Sequence, residues 1–433
     1  MLPKNTKSDF SNRNDNLNLN SLISSTSSGQ SSSSKYYPAA KIKVIGVGGA
    51  GGNAVKRMIE YGVEGIDFWA MNTDLQALKS IHADGVIQLG ASMTRGLGAG
   101  MAPDVGAQAA VESEMEIEGA LTGADMVFIT AGMGGGTGTG AAPIVAEIAK
   151  RLGILTIGVV TKPFNFEGGR RRQLAEDGII KLKENADAVI LVPNEKLLQI
   201  VDKRTSFQDA FKISDDVLRQ AVQGISDLIN IPGEINVDFA DVRAIMSNAG
   251  TALMGMGRAS GANEGTAIQA ALQAIESPLI ELSIAGATGV LINVQGGKNL
   301  TLFDVNDAAE AIQRLVDPDA KIIFGFSTDG NIQDEVRVTV IATGFNQQKA
   351  EEDGKNNADK REVFSEYDSY RMNRAKPATS NNPGIQSPSR LFEGSNKSDN
   401  AMKPSISQMQ DDDIDLDIPT FLRNKIKKNN GEM

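Results

Sequence analysis

The sequence predicts an α/β fold. A Rossmann-like, mostly parallel sheet is joined by a long central helix to a smaller α+β domain, between disordered N- and C-terminal tails. Three observations carry this: six short β-rich runs alternate with helical stretches from Ile42 to Val192, one helical period is sustained from Phe207 to about Ile231, and strands and helices mix again from there to about Phe345.

Residues 1–38 are dominated by Ser and Asn and hold almost nothing that could join a core, so they read as a disordered extension. They lack the continuous apolar run of a secretory signal. Their Ser richness with Lys4, Lys7 and Arg13 weakly permits a transit peptide, against which Asp9 and Asp15 argue. In the first domain, 39–206, the predicted strands are Ile42–Val47, Ile66–Met71, Val86–Leu89, Met126–Thr130, Ile154–Val160 and Ala188–Val192, and Arg170–Asn185 reads as a helix. The segment 207–231 places Phe207, Phe211, Val217, Leu218, Ala221, Val222, Ile225, Leu228 and Ile229 at helical spacing and stops at Pro232-Gly233. In the second domain, 232–346, helical patterns at Asp241–Ser247, Glu264–Ile275 and Val305–Val316 alternate with strands at Ala252–Arg258, Gly289–Val294, Lys321–Ser327 and Glu335–Thr343. Residues 347–410 are polar and read as a disordered linker, whose root-mean-square span as a coil is on the order of 45 Å. Apolar residues return in 411–433.

Composition excludes much. The 433 residues are 41% hydrophobic and 22% charged, which fits a folded core, and no apolar run approaches the length of a membrane span. With 54 acidic and 43 basic residues the formal charge is −11, which repels nucleic acid backbones and anionic membranes, so no direct nucleic acid partner is expected. Cysteine is absent and His82 is the single histidine. Thiol catalysis, Ser-His-Asp triads and Cys/His zinc sites are therefore ruled out, leaving carboxylates, amides, cations and the backbone to do chemistry.

The backbone is where the signal lies. After the strand Met126–Thr130 comes Gly134-Gly135-Gly136-Thr137-Gly138-Thr139-Gly140, five glycines in seven residues, ahead of a helical pattern from about Ala142. Such a chain can turn successive N–H groups toward one oxyanion, and the helix behind it adds a positive dipole end. A second cluster, Gly46-Val47-Gly48-Gly49-Ala50-Gly51-Gly52-Asn53, closes the first strand. Gly46, Gly48 and Gly51 fit G-x-G-x-x-G, and with Asp67 as ribose acceptor this supports an alternative reading as an NAD(P)-binding oxidoreductase. Two converging anion nests suit a di- or triphosphate better. No P-loop lysine exists, because G-x-x-x-x-G-K-[ST] does not occur.

The run Gly134–Gly140 resembles the signature loop of the tubulin/FtsZ superfamily, and the chain is similar to its FtsZ family from about Lys41 to Phe345 and again at the C-terminus. The resemblance rests on Gly48–Asn53, Met71–Asp74, Thr94–Gly100, Pro163–Gly168, Val192–Glu195 and Asn236–Asp241. It implies a GTPase that binds GTP/GDP with Mg²⁺, the metal being held mainly by phosphate and water with no dedicated protein cage. By the same resemblance Gly49, Ala50, Gly51, Gly52, Asn53, Gly135, Gly136, Thr137 and Gly138 lie at the phosphates, Glu167 and Arg171 at the ribose and Asp215 at the base. An Asp suits guanine, which offers N1–H and 2-amino donors that adenine lacks. Spacing alone does not choose among Arg170, Arg171 and Arg172, or between Asp215 and Asp216.

Asn236, Asp238 and Asp241 form N-x-D-x-x-D just after the breaker pair. Asp238 as N-cap and Asp241 at N3 would stabilise a helix start, and the same polar cluster can orient a water for attack on a γ-phosphate. A continuous helix from about Gln208 to Ile231 would be roughly 36 Å long. Asp238, beyond its end, then cannot reach phosphates held near Asp215 in the same chain. The missing half must come from a second copy, and a heterologous contact of this kind propagates as a filament. Resemblance implies the same: a head-to-tail homopolymer that hydrolyses GTP after assembly and forms the cell-division ring, in the cytoplasm at midcell with a plastid the minor alternative. The tail, with Asp417, Ile418, Pro419, Phe421 and Leu422, resembles the peptide through which the family meets membrane-tethering and regulatory division proteins, so the membrane is reached only indirectly.

Overall fold

The computed structural model describes residues 40–345 apart from 200, 203, 231–234, 236, 262–264, 281–283, 285, 298, 299 and 329–333. The predicted extension 1–38, the linker 347–410 and the tail peptide 411–433, with Asp417, Ile418, Pro419, Phe421 and Leu422, lie outside the described residues, as does Asn236. The chain begins β1 (Ile42–Val47), α1 (Gly48–Glu60), β2 (Ile66–Asn72), α2 (Leu75–Lys79), β3 (Gly85–Gln88), α3 (Ala91–Thr94), α4 (Pro103–Glu112), α5 (Glu114–Leu121), β4 (Met126–Gly132) and α6 (Thr137–Arg151). It continues through β5 (Leu155–Lys162), α7 (Gly169–Asn185), β6 (Ala188–Pro193), α8 (Asn194–Leu197) and α9 (Phe207–Asn230). Last come α10 (Phe239–Met246), β7 (Gly250–Ser260), α11 (Thr266–Ile275), β8 (Gly289–Gly296), α12 (Leu302–Gln313), β9 (Lys321–Thr328) and β10 (Glu335–Thr343).

All ten strands belong to one sheet of order β3-β2-β1-β4-β5-β6-β7-β10-β8-β9. β10 runs antiparallel to its neighbours β7 and β8, while every other pairing is parallel. The smaller α+β part is thus joined to the larger one by sheet pairing as well as by the central helix. The link is short: Ala188, Val189 and Ile190 face Gly250, Thr251 and Ala252.

Both faces of the parallel sheet are covered, as the alternation in β1 shows. Ile42 and Val44 enter one core with α1, α9 and α10, whereas Ile45 and Val47 enter the other with α4 to α7. On the first face, Val217, Leu218, Ala221, Val222, Ile225, Leu228 and Ile229 form the buried stripe of α9. This stripe shares its core with Ile157 and Val159 of β5 and with Leu291 and Ile341 of β8 and β10, so one helix packs on both parts of the sheet.

Several helices begin earlier than periodicity predicts, each for a local reason. α10 starts at Phe239 because Asp238 Oδ1 accepts from the Asp241 N–H (2.8 Å). α12 starts at Leu302 because Thr301 Oγ1 accepts from the Asp304 N–H (3.2 Å) and Asp304 Oδ2 accepts from the Thr301 N–H (3.0 Å). α1 and α6 start inside their glycine runs, at Gly48 and Thr137, where tertiary contact overrides the poor helix propensity of glycine.

Close backbone approach recurs at β7. A Cβ on Gly257 would lie 1.9 Å from the Ala270 carbonyl oxygen of α11, whose fully buried Ala267, Ala270, Ala271 and Ala274 press on the strand. Gly119, in the middle of α5, has nothing within 4 Å of an added Cβ. Gly257→Ala is expected to lower stability by about 2–3 kcal/mol through overpacking, and Gly119→Ala to raise it by about 0.5–1 kcal/mol. Thermal unfolding followed by circular dichroism checks the opposite signs.

Candidate nucleotide site

A cleft of about 280 Å³ opens where the carboxyl ends of β1, β4 and β5 meet the first third of α9. Val47, Gly49, Ala50, Gly132 and Met133 line its floor, and Gly135, Gly136, Thr137 and Gly138 continue it into α6. Thr161, Pro163, Glu167 and Arg171 make one wall, and Asn194, Phe211, Ser214 and Asp215 the other.

The floor is built for an anion. α1 and α6, thirteen and fifteen residues long, both begin there; neither has a side-chain N-cap nor an acidic residue in its first turn. α2, α10 and α12, by contrast, are capped by Asp74, Asp238 and Thr301. Two helix N-termini with unmatched N–H groups and unneutralised dipoles therefore face one small volume. Gly134, at φ 100°, donates its N–H to Thr139 Oγ1 (2.8 Å), and Thr137 Oγ1 bonds Thr73 Oγ1 at 2.6 Å. Thr137 lines the cleft, while Thr139 is buried behind it.

The walls separate residues that spacing left equivalent. Arg171 lines the cleft and pairs with Glu167, whose other oxygen accepts from the Phe164 N–H (3.0 Å). Arg172 turns to Asn165, and Arg170 is exposed. Asp215 faces the cleft, whereas Asp216 binds Arg219 (2.7 Å) and Gln220. Burial pushes the Asp215 carboxyl up to about 7, against a smaller downward pull from the Arg57 guanidinium.

Gly51, Gly52 and Asn53 do not line the cleft. Gly51 is buried, and its missing Cβ would lie 2.2 Å from the Thr130 carbonyl oxygen, so its absence lets α1 sit on β4. Sequence reasoning missed Phe211, Asn194 and Ser214. Phe211 makes an edge contact with Phe164, with ring centroids 5.4 Å apart, and presents a flat apolar wall one turn before Asp215. The i, i+4 spacing of Phe211 and Asp215 on one helix face was the available signal. Ser214 Oγ donates to Asn194 Oδ1 (2.7 Å), tying α9 to the end of β6; nothing in the local sequence joins residues so far apart.

Asp67, the ribose acceptor of the dinucleotide reading, stands near the amino end of β2 opposite Lys43. The cleft lies at the carboxyl ends of the parallel strands, so Asp67 is on the wrong edge for that role. Asp238 and Asp241 are exposed and also far from the cleft. Arg243 on their helix α10 donates to the Gly153 carbonyl (2.9 Å), between the far end of α6 and the start of β5. Among the described residues no group of three or more His, Cys, Asp or Glu could hold a metal ion, and no helix is long and apolar enough to cross a membrane.

Residues 41–202 match the family model described as the Tubulin/FtsZ family GTPase domain, and residues 250–346 the one described as the FtsZ family C-terminal domain. Among solved structures, the chain is similar to an FtsZ from M. jannaschii described as an empty dimer, at 46% identity and TM-score 0.68, over 71% of this chain and 89% of that one. It also resembles CetZ2 from Haloferax volcanii, described as a GTPgS-bound protofilament, at 22% identity and TM-score 0.61, over 76% and 99% of the two chains. The second likeness is one of fold alone.

A carboxyl whose folded value is raised from 3.8 to about 7 binds its proton more tightly in the native state. Its contribution to stability is therefore present at low pH and lost as pH rises through about 7. The ligand-free protein should lose stability relative to Asp215→Asn between pH 5 and pH 8, and parallel denaturant titrations of the two proteins measure that difference.

Proposed function

The chain belongs to the tubulin/FtsZ family, and from that premise we propose that it is a GTP-dependent, self-assembling GTPase that polymerises head to tail. Its filaments would form the division ring in the cytoplasm at midcell. One observation carries the reading most directly: the anion cleft and the exposed carboxylates Asp238 and Asp241 sit at opposite edges of the sheet. The seven residues of β4 span about 23 Å at 3.3 Å per residue, and the α9 segment from Asp215 to Asn230 rises about 22 Å. No side chain bridges such a gap, so one molecule offers a nucleotide without a water-positioning group and, at its far end, that group without a nucleotide.

Stacking a second copy brings the two halves together. Gly49, Ala50 and Gly135–Gly138 would hold the phosphates, with Gly51, Gly52 and Asn53 setting how closely α1 approaches them. Glu167 and Arg171 would take the ribose, and Asp215 beside Phe211 the guanine edge. Asp238, Asp241 and the neighbouring Asn236 of the next copy would orient the attacking water. Asp238 keeps one oxygen occupied as the α10 cap, which fixes the carboxylate relative to the helix axis. Mg²⁺ would ride on the phosphates and water, neutralising charge on the γ-phosphate oxygens.

Exposed apolar side chains at both ends support assembly. Near the cleft edge Met93, Leu97, Met101 and Phe166 are exposed. At the other end Ile235 bridges to Phe326 near the end of β9, and that strand end is in register with Gly296, from which the chain leads to the exposed Leu302 and Phe303. That a relative is described as a dimer supports association between copies. The tail segment with Asp417, Ile418, Pro419, Phe421 and Leu422 would dock membrane-tethering and regulatory partners.

GTP hydrolysis per subunit, measured with Mg²⁺ over a protein concentration series, should appear only above a threshold that coincides with light scattering. Constant activity per subunit at high dilution would mean a complete site within each chain and would sink the shared-site mechanism. Asp241→Ala should lower kcat by about a hundredfold or more while leaving nucleotide affinity near wild type, the pattern of a group acting on the transition state.

A further inference from the structure

α1 and α9 leave the cleft side by side and run in the same direction. Gly49 and Ala50 of α1 and Phe211, Ser214 and Asp215 of α9 line the cleft, and just beyond the far end of α1 Asn230 donates to the Gly65 carbonyl (3.0 Å). Between these points the helices touch at Tyr61 and Arg219, whose guanidinium lies 4.4 Å from the ring centroid. One turn nearer the cleft on both helices stand Arg57 and Asp215. The Arg57 guanidinium lies 5.6 Å from the same Tyr61 ring, so the ring braces both cations.

Of the charged groups facing this region, most are already matched. On α9 Arg219 binds Asp216 (2.7 Å) and Lys212 binds Asp209 (2.9 Å), and across the cleft Arg171 binds Glu167. Among the described residues the carboxylate paired with Arg57 is the half-exposed Glu60, at 3.9 Å, and the Arg57 charge pulls the Asp215 carboxyl down against its burial. A guanine edge needs both oxygens of that carboxyl as acceptors, because a protonated one sets its O–H against one of the two donors, N1–H or 2-amino.

Resting on the guanine reading above, we propose that Arg57 is a positioning residue for base selection: acting through Asp215, it holds that carboxylate as the charged acceptor for a purine carrying N1–H and 2-amino donors. Tyr61 keeps the guanidinium in place from the solvent side. Discrimination against adenine then depends on α1 as well as on the wall of the cleft.

The test is GDP binding to the full chain from pH 5.5 to pH 8.5, followed calorimetrically for wild type, Arg57→Met, Arg57→Lys and Asp215→Asn. Without the cation the midpoint of the affinity profile should rise by about one pH unit, which is about a fivefold loss at pH 7 that shrinks above pH 8. Arg57→Lys should restore most of it, and preference for GDP over ADP should fall with the affinity. An equal loss at every pH in Arg57→Met, or an unmoved midpoint, would overturn the proposal and leave Arg57 a packing residue. If Asp215→Asn itself binds GDP with wild-type affinity and pH profile, the guanine assignment of Asp215 fails instead, and the proposal with it.

Discussion

Backbone rests on backbone where α1, β4 and α6 converge, and the site depends on that contact. A Cβ on Gly138 would lie 2.7 Å from the Gly132 carbonyl oxygen, one on Gly48 2.9 Å from the Gly138 nitrogen, and one on Gly140 1.9 Å from the Pro103 carbonyl oxygen. Any larger residue would push the helices apart, and their N-termini would no longer address a common volume. Each glycine inside a helix costs about 0.5–1 kcal/mol relative to alanine. That cost is offset by the burial of the central strands on both faces, where Val44, Ile45, Val127, Phe128 and Ile129 are wholly inaccessible. The floor of the cleft thus rests on the buried centre of the sheet.

α9 ties this cradle to the rest of the fold. Its buried stripe locks it to both portions of the sheet, and its cleft end contributes Phe211, Ser214 and Asp215. A helix so held cannot bend to bring its two ends together. The carboxylates that follow it are kept at the far edge, where Arg243 is tied to Gly153 and the loop before β7 to Asp187. In the proposed mechanism, division of the chemistry between copies would follow from the stiffness of this one element, and coupling of turnover to assembly from that division.

Strands were legible because parallel strands buried on two faces read as short apolar runs between turns, and β1, β4 and β6 fall where those runs do. Helix starts were less so. α10 starts where its Asp238 cap predicts, but α12 is set by the reciprocal Thr301–Asp304 caps, and α1 and α6 begin in glycines that disfavour helix locally. α4 and α5, rich in Ala and acidic residues, have no strong apolar period, and they stand because Ala109, Ala110, Ile117 and Leu121 meet α6 and the sheet. In the site, the glycine runs and Asp215 were visible as residue types with a chemical purpose. Phe211 and Asn194 were not, since an aromatic or an amide on a helix face has no single meaning until its neighbours are known.

The sequence by itself determined the class of the molecule. Two glycine runs after strands demand an anion near helix ends, the lack of cysteine and the single histidine leave carboxylates and backbone for chemistry, and an unbroken helical period separates two sets of acidic residues. Only the tertiary structure decided which of several adjacent candidates face the cleft: Arg171 and not Arg170 or Arg172, Asp215 and not Asp216, with Gly51 and Gly52 withdrawn into packing. It also joined the two parts of the chain into one sheet and put Arg57 of α1 on the helix packed along α9, where its charge acts against the burial of Asp215. The reason is physical. Local composition restricts what a segment can be, but the direction of a side chain and the charge beside it are set by long-range packing, through contacts that no local window contains.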